Sequence, residues 1–300
     1  MVPKSKDNGF HRAPGLLLSD PDGHPELFLA AGLHLAGFSR KILSRRTQLR
    51  RFRELYGCDP QVVRAVWKDL RPTMEEGTKV EYIFWALYFL RNYPKDGDLA
   101  TRWSKDPATI RKWIWTIIFG LADLGAQKIR FPPNGFNLVF ILSVDGTDCP
   151  IEEPRPWSKT WFSQKFKGAG VKYEVALDVL TGNCVWVNGP FKASKSDITI
   201  YRQGLRQFIP AGKFVVADKG YRGEPETISY PNALDDKAIS QLKSRIRSRQ
   251  ETFFARMKAF QVLKQTFRHK PVLERHRACF MAVAVLTQYG IENGRPLFQI

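Results

Sequence analysis

Cysteine is scarce in this chain. Three hundred residues carry four, Cys58, Cys149, Cys184 and Cys279, and no two stand in a CxxC spacing. That excludes a zinc-finger framework and a disulfide-stapled domain, and leaves a reduced intracellular protein as the expectation. Histidine is nearly as sparse: the five residues form no HxxxH or HxH pattern, so an imidazole-bound metal centre has no basis. Long apolar runs are missing as well. Leu16 to Phe38 is broken by Asp20, Pro21, Asp22 and Pro25, short of the ~18 apolar residues a membrane span needs. No secretory signal pattern opens the chain. Acids are the minority charge, 29 against 47 lysines and arginines, giving a net charge of +18 and a pI near 9.9. Such an excess points to a polyanionic partner, nucleic acid before an anionic membrane surface.

What is present argues for a folded core. Hydrophobic residues make up 43% of the chain and there are eight tryptophans, enough for one large domain or two modest ones. Residues 1–55 read as a basic, poorly structured arm. Arg40 to Arg53 carries seven cations and no acid, a phosphate-contacting or nuclear-import segment on one reading and a solvated basic helix on the other. Residues 56–128 read as helical. Asp59-Pro60 opens a helix through Leu70, and Tyr82 to Leu90, apolar almost all round, is the expected centre of this domain. Leu99 to Trp103 forms a short helix, Ser104-Lys105 turns, and Asp106-Pro107 starts a second helix. There Ile110, Trp113, Ile114, Ile117 and Ile118 face inward at helical spacing. Arg111 and Lys112 stay outward near its front, the layout of a helix-turn-helix that touches DNA, although many helical hairpins share it.

Residues 129–300 change character. Phe136 to Val144 is a nearly unbroken apolar run that delivers Asp145 and then Gly146, a strand buried on both faces. Further strands are expected at Trp157–Phe166, Lys172–Leu180, Cys184–Val187 and Lys213–Ala217. A helix is expected through Ile198, Tyr201, Leu205 and Phe208, and a long helix over Lys237–Phe267. Strands first, then helix, strand and closing helices suit a mixed α/β sheet. A bare carboxylate at the end of a core strand needs a cation or a partner. Asp218 ends another strand. Glu251 is the only acid between Lys237 and Lys270, amid many lysines and arginines; the bland reading is an i,i+4 ion pair with Arg247. Hard divalent cations such as Mg2+ prefer oxygen ligands, and two of them can activate water and neutralise the leaving oxygen in phosphodiester hydrolysis. Asp148 reads as a turn residue and Asp197 as a helix cap. Lys219, Tyr221, Arg222, Arg247 and Lys258 are candidate backbone contacts for DNA. Trp157, Trp161 and Phe162 could stack on a base, although core packing is the commoner use of such rings.

The ordered set is specific. Val144-Asp145-Gly146-Thr147-Asp148-Cys149-Pro150-Ile151 is followed by Ala217-Asp218-Lys219-Gly220-Tyr221-Arg222-Gly223. Then come Arg249-Gln250-Glu251, Arg256-Met257-Lys258 and Phe267-Arg268-His269. Asp218 follows Asp145 by 73 residues and Glu251 follows Asp218 by 33. This series resembles the DDE superfamily endonucleases, in particular the PIF/Harbinger and IS5-like transposases, over about residues 136–290. The resemblance implies an RNase H-like core, two Mg2+ or Mn2+ ions, and Asp145, Asp218 and Glu251 as catalytic and metal-binding triad. It also implies cutting of transposon ends and joining to target DNA, a homo-oligomer, and nuclear location. Whether a Myb-like partner protein is needed stays open. Phe191 to Ser196 departs from the family's usual Pro-Gly-Ser-x-His-Asp form. The alternative is a domesticated descendant that binds DNA or a protein without catalysis.

Overall fold

An apolar run without polar alternation can be buried only in a sheet covered on both faces, and the chain builds one. The structure, a computed structural model, describes residues 23–38 and 44–300. Two compact units divide it: Met1–Tyr88 with Pro94–Ile117, and Phe89–Tyr93 with Ile118–Ile300. The division falls near residue 117, ahead of the expected boundary at 128.

In the second unit, β1 (Phe140–Pro150), β2 (Phe162–Ser163), β3 (Gly168–Asp178), β4 (Cys184–Lys192), β5 (Phe214–Val216) and β6 (Ile228–Ser229) form one mixed sheet. Its order is β2-β3-β1-β5-β6, with β4 also on β3. β1 pairs antiparallel with β3 and parallel with β5. The β3–β4 hairpin turns through Gly182, whose φ of 77° suits glycine. Side chains alternate between two helical layers. Val215 and Ala217 join Leu142, Val144, Tyr201 and Leu205 on one side. Val216 packs with Ile246 on the other.

Tyr201 and Leu205 come from α8 (Asp197–Gln203) and the 3-10 turn after it. Gly204 splits the single helix expected through Phe208; its missing Cβ would stand 2.6 Å from Asn188 Nδ2. Ile246 belongs to α9 (Lys237–Lys258). That helix stops short of the expected Phe267 because the chain leaves it to pair with the sheet. The Phe267 N–H donates to the Pro150 carbonyl (3.0 Å), and the Glu152 N–H to the Phe267 carbonyl (3.0 Å). Tertiary pairing there overrides helix propensity. α10 (Val272–Glu292) is buried along most of its length. Its Phe280 ring stacks on Tyr173 at 3.7 Å, and its His276 Nδ1 lies 2.8 Å from the Tyr173 hydroxyl. Burial pushes the His276 imidazole down to about 3, so it stays neutral. All four cysteines are buried. Trp157–Phe166 is not a full strand: a 3-10 turn at Lys159–Trp161 leaves only Phe162–Ser163 paired.

The first unit is helical among the described residues. It contains α1 (Pro25–Leu35), α2 (Arg45–Tyr56), α3 (Pro60–Leu70), most of α4 (Glu81–Asn92), α5 (Asp96–Trp103) and the front of α6 (Pro107–Asp123), while α7 (Gly125–Lys128) belongs to the second unit. The segment expected as a poorly structured arm therefore holds two helices, while Arg40 and Lys41 lie outside the described residues. The cause is aromatic. Phe52 and Tyr56 turn the cationic α2 onto α1 at Gly32, where a Cβ would approach their rings to 2.6 and 2.9 Å, and the Tyr56 hydroxyl donates to the Gly32 carbonyl (2.7 Å). Nothing in the charge pattern of residues 40–53 marks these two anchors. The α5–α6 hairpin follows the sequence: Ser104 turns at φ 49°, and Asp106 Oδ2 accepts from the Thr109 N–H at 2.9 Å. No helix among the described residues is long and apolar enough to cross a membrane.

Candidate active site

Register places the first two acids. Ser143 of β1 lies opposite Val216 of β5 in parallel pairing. Two residues further on, Asp145 within β1 and Asp218 just past the end of β5 therefore come to one cleft. The third acid is delivered by the residues before it. Gln250 is buried on α9; its Oε1 accepts from the Ser143 hydroxyl (2.7 Å) and its Nε2 donates to the Val175 carbonyl (3.2 Å). Buried Arg249 donates to the Asp178 carbonyl at 2.9 Å. These bonds fix the rotation of α9, so Glu251 and Arg247 line one cleft with Asp145 and Asp218. The cleft, about 20 Å³, has room for a water-sized species.

Asp145 lies deep in the cleft wall. Burial raises its carboxyl to about 6; the Gly146 N–H and Lys165 act against the rise, while Asp218 and Asp197 add to it. Asp145 Oδ1 accepts from the Gly146 N–H (2.7 Å) and Asp218 Oδ1 from the Gly220 N–H (2.8 Å). Glu251 is exposed and forms no ion pair with Arg247 among the described residues, so the bland reading of that acid is not what the structure contains. Among the described residues no group of three or more His, Cys, Asp or Glu side chains is disposed to hold a metal ion. The acids line one cleft, but the two aspartates are held on backbone donors of their own. The donor set is nevertheless all oxygen, and a buried carboxylate raised by two neighbouring carboxylates is the environment a hard cation relieves.

Asp197, expected as a cap, has another place. Ser196 caps α8, accepting from the Thr199 N–H. The Asp197 carboxylate accepts from Lys172 Nζ at 3.0 Å and lies between the two glycines that follow the aspartates. A Cβ on Gly146 would meet Asp197 Oδ1 at 2.6 Å, and one on Gly220 would meet Oδ2 at 3.2 Å. The signal in the sequence was the pair of Asp-Gly and Asp-Lys-Gly steps, whose glycines leave room for this fourth carboxylate. Gly146→Ala is expected to cost about 1–3 kcal/mol by overpacking, measured as a lower urea midpoint, while Gly135→Ala, with open space around its absent Cβ, should lose only what its positive φ demands.

The other expected contacts divide. Lys219 and Arg222 are exposed just after Asp218, with the Arg222 guanidinium 5.5 Å over the Tyr230 ring. Tyr221 is fully buried, which removes it from any DNA surface. Among the described residues its hydroxyl has no hydrogen-bond partner, and burial pushes it well above the usual phenol range. Lys258 is half-buried at the end of α9. In the helical unit Arg111 Nε pairs with Asp96 (3.0 Å) and Lys112 Nζ with Glu75 (3.3 Å). Asp148 is no turn residue. It sits buried within β1, taking the Ser163 hydroxyl on Oδ2.

Comparison with known proteins completes the picture. The family described as DDE superfamily endonuclease matches residues 144–288. No curated protein and no solved structure matches the chain.

Proposed function

We propose that the chain is a transposon-derived nuclease that cuts DNA phosphodiesters with divalent metal ions and joins ends to target DNA, in keeping with the match of residues 144–288 to the DDE superfamily endonuclease family. The observation carrying this reading is the parallel β1–β5 register that brings Asp145 beside Asp218 while α9 turns Glu251 into the same cleft. Antiparallel β1, β3 and β4 with parallel β5, covered by helices on both faces, support an RNase H-like core. The α5–α6 hairpin, with Arg111 and Lys112 outward near the front of α6, supports a helix-turn-helix role in DNA contact.

Asp145, Asp218 and Glu251 would hold two ions, Mg2+ or Mn2+. Bound there, the metal would make a water nucleophilic and neutralise charge on the leaving oxygen. The chain's own groups do the rest. Arg247 in the cleft and Lys219 and Arg222 beside it hold backbone phosphates, and Gln250 keeps α9 in register. The basic excess supplies salt-sensitive attraction to DNA. Nuclear location, a homo-oligomer and a Myb-like partner belong to the same proposal and rest on the resemblance. The second reading, a domesticated and catalytically silent DNA-binding protein, is favoured by the lack of a ready-made metal-ligand group among the described residues. Nicking of a labelled duplex in Mg2+, Mn2+ or EDTA separates the two. Cutting only with metal supports the nuclease; salt-sensitive binding without cutting in any buffer supports the silent descendant.

A further inference from the structure

Residues alternate across a strand, so Gly146 and Asp148 of β1 point to the face opposite Asp145. On that face lies a cavity of about 600 Å³, lined by Asp148, Trp157, Phe162 and four lysines, Lys159, Lys165, Lys172 and Lys195. Its size falls in the ~300–1,000 Å³ range of ligand sites and exceeds what a lone phosphate would occupy. Its charge is unbalanced. Lys172 is matched by Asp197, while Lys159, Lys165 and Lys195 carry no ion pair among the described residues. Two bonds tie the cavity to the acids: Lys172 Nζ to Asp197 at 3.0 Å, and Lys165 Nζ to the Gly146 carbonyl at 3.0 Å. Asp148 stands three residues along β1 from Asp145, roughly 10 Å at strand rise.

The remaining features select the ligand. Trp157 keeps 46% of its surface exposed at the cavity, an unusual expense of apolar area unless something stacks there. Asp148, in the cavity wall, is held from behind: its Oδ2 takes the Ser163 hydroxyl. An intact duplex presents phosphates but no base face. Aromatic faces among cations are what bind unpaired nucleotides, and a base reaches a recessed pocket only by leaving its stack.

We propose that this cavity seats an unpaired nucleotide of the DNA strand beside the cut. Its phosphate lies on the lysines and its base on Trp157. The assignment rests on the reading of the chain as a DNA-cutting enzyme and names the form of DNA it prefers.

The test measures binding of the full chain by fluorescence anisotropy in EDTA, so that no cutting intervenes. Labelled duplexes with a short single-stranded 3′ or 5′ overhang are compared with a blunt duplex of equal length. The wild type is expected to prefer one overhang by about tenfold, the scale of one base stacked on an aromatic ring. Trp157→Ala should erase the preference and leave blunt-duplex affinity within about twofold, because the exposed ring supports no core. Lys159→Ala with Lys195→Ala should weaken overhang binding and flatten its salt dependence. Trp157→Phe should restore part of the preference. Equal affinity for overhang and blunt DNA in the wild type, or a preference undiminished in Trp157→Ala, would overturn the assignment. Either result leaves metal-dependent nicking untouched, and a failure to nick leaves the overhang preference untouched, so the two readings fail separately.

Discussion

Asp145→Asn, Asp218→Asn and Glu251→Gln are each expected to lower metal-dependent nicking on the order of 10³-fold, the scale on which removing one preorganised electrostatic group acts. DNA binding should stay within about twofold, because phosphate contacts by lysine and arginine carry it. The substitutions keep shape and remove charge, so a loss of folding would not mimic the result. Asp145→Asn should also relieve the folded protein of a carboxylate that burial has raised to about 6. A variant that is inactive yet no less stable is therefore the expected outcome, and unfolding curves run beside the nicking assay check it. An acid variant that cuts at the wild-type rate would remove that residue from the site.

Glu174→Gln is expected to stabilise the protein at pH 8 by up to about 3 kcal/mol, taking each pK unit as roughly 1.4 kcal/mol. Glu174 lies opposite Gly146 across the β1–β3 pair and is 1% exposed. Its Oε1 accepts from Trp186 Nε1 at 3.0 Å, while Oε2 is buried without a hydrogen-bond partner among the described residues. Burial raises its carboxyl from 4.5 to about 7; the Trp186 bond opposes the rise and Asp197 adds to it. Below pH 4.5 the group is protonated folded or unfolded, and its ionisation costs nothing. Between 4.5 and about 7 the unfolded chain releases the proton that the folded chain retains, so stability falls as pH rises. Above about 7 the full penalty is present. Glutamine keeps the bond from Trp186 and carries no charge. The gain should be greatest at pH 8 and vanish near pH 4.5; an equal gain at both pH values would mean that ionisation is not its source.

The three carboxylates stand out in the sequence because of their surroundings. Asp145 ends an unbroken apolar run, Asp218 ends a short one, and Glu251 is isolated among cations, all patterns of chemistry and spacing. Asp197 carries no such mark, because a serine–aspartate step before an amphipathic stretch is also how helices begin. Only the fold reveals that Gly146 and Gly220 clear space on either side of it. The helices of residues 25–35 and 45–56 were obscured by charge, since Phe52 and Tyr56 act through a contact with Gly32 that has no local signature. Tyr221 fell in a basic, glycine-flanked stretch that read as surface, yet it is drawn inward beneath Asp218. The early end of α9 follows from backbone pairing between Phe267 and the end of β1, a long-range bond that helical periodicity does not register.

The central claim is that the cleft acids bind the metal that cuts DNA, and the most direct measurement replaces a carboxylate with a softer ligand. Asp145→Cys should fail to nick a labelled duplex in Mg2+, which binds thiolate poorly, and recover cutting in Mn2+, which accepts sulfur more readily. The wild type should cut with either ion. Cutting by Asp145→Cys in Mg2+ at the wild-type rate would contradict the claim, because Asp145 would then not be a ligand of the metal at the reacting phosphate.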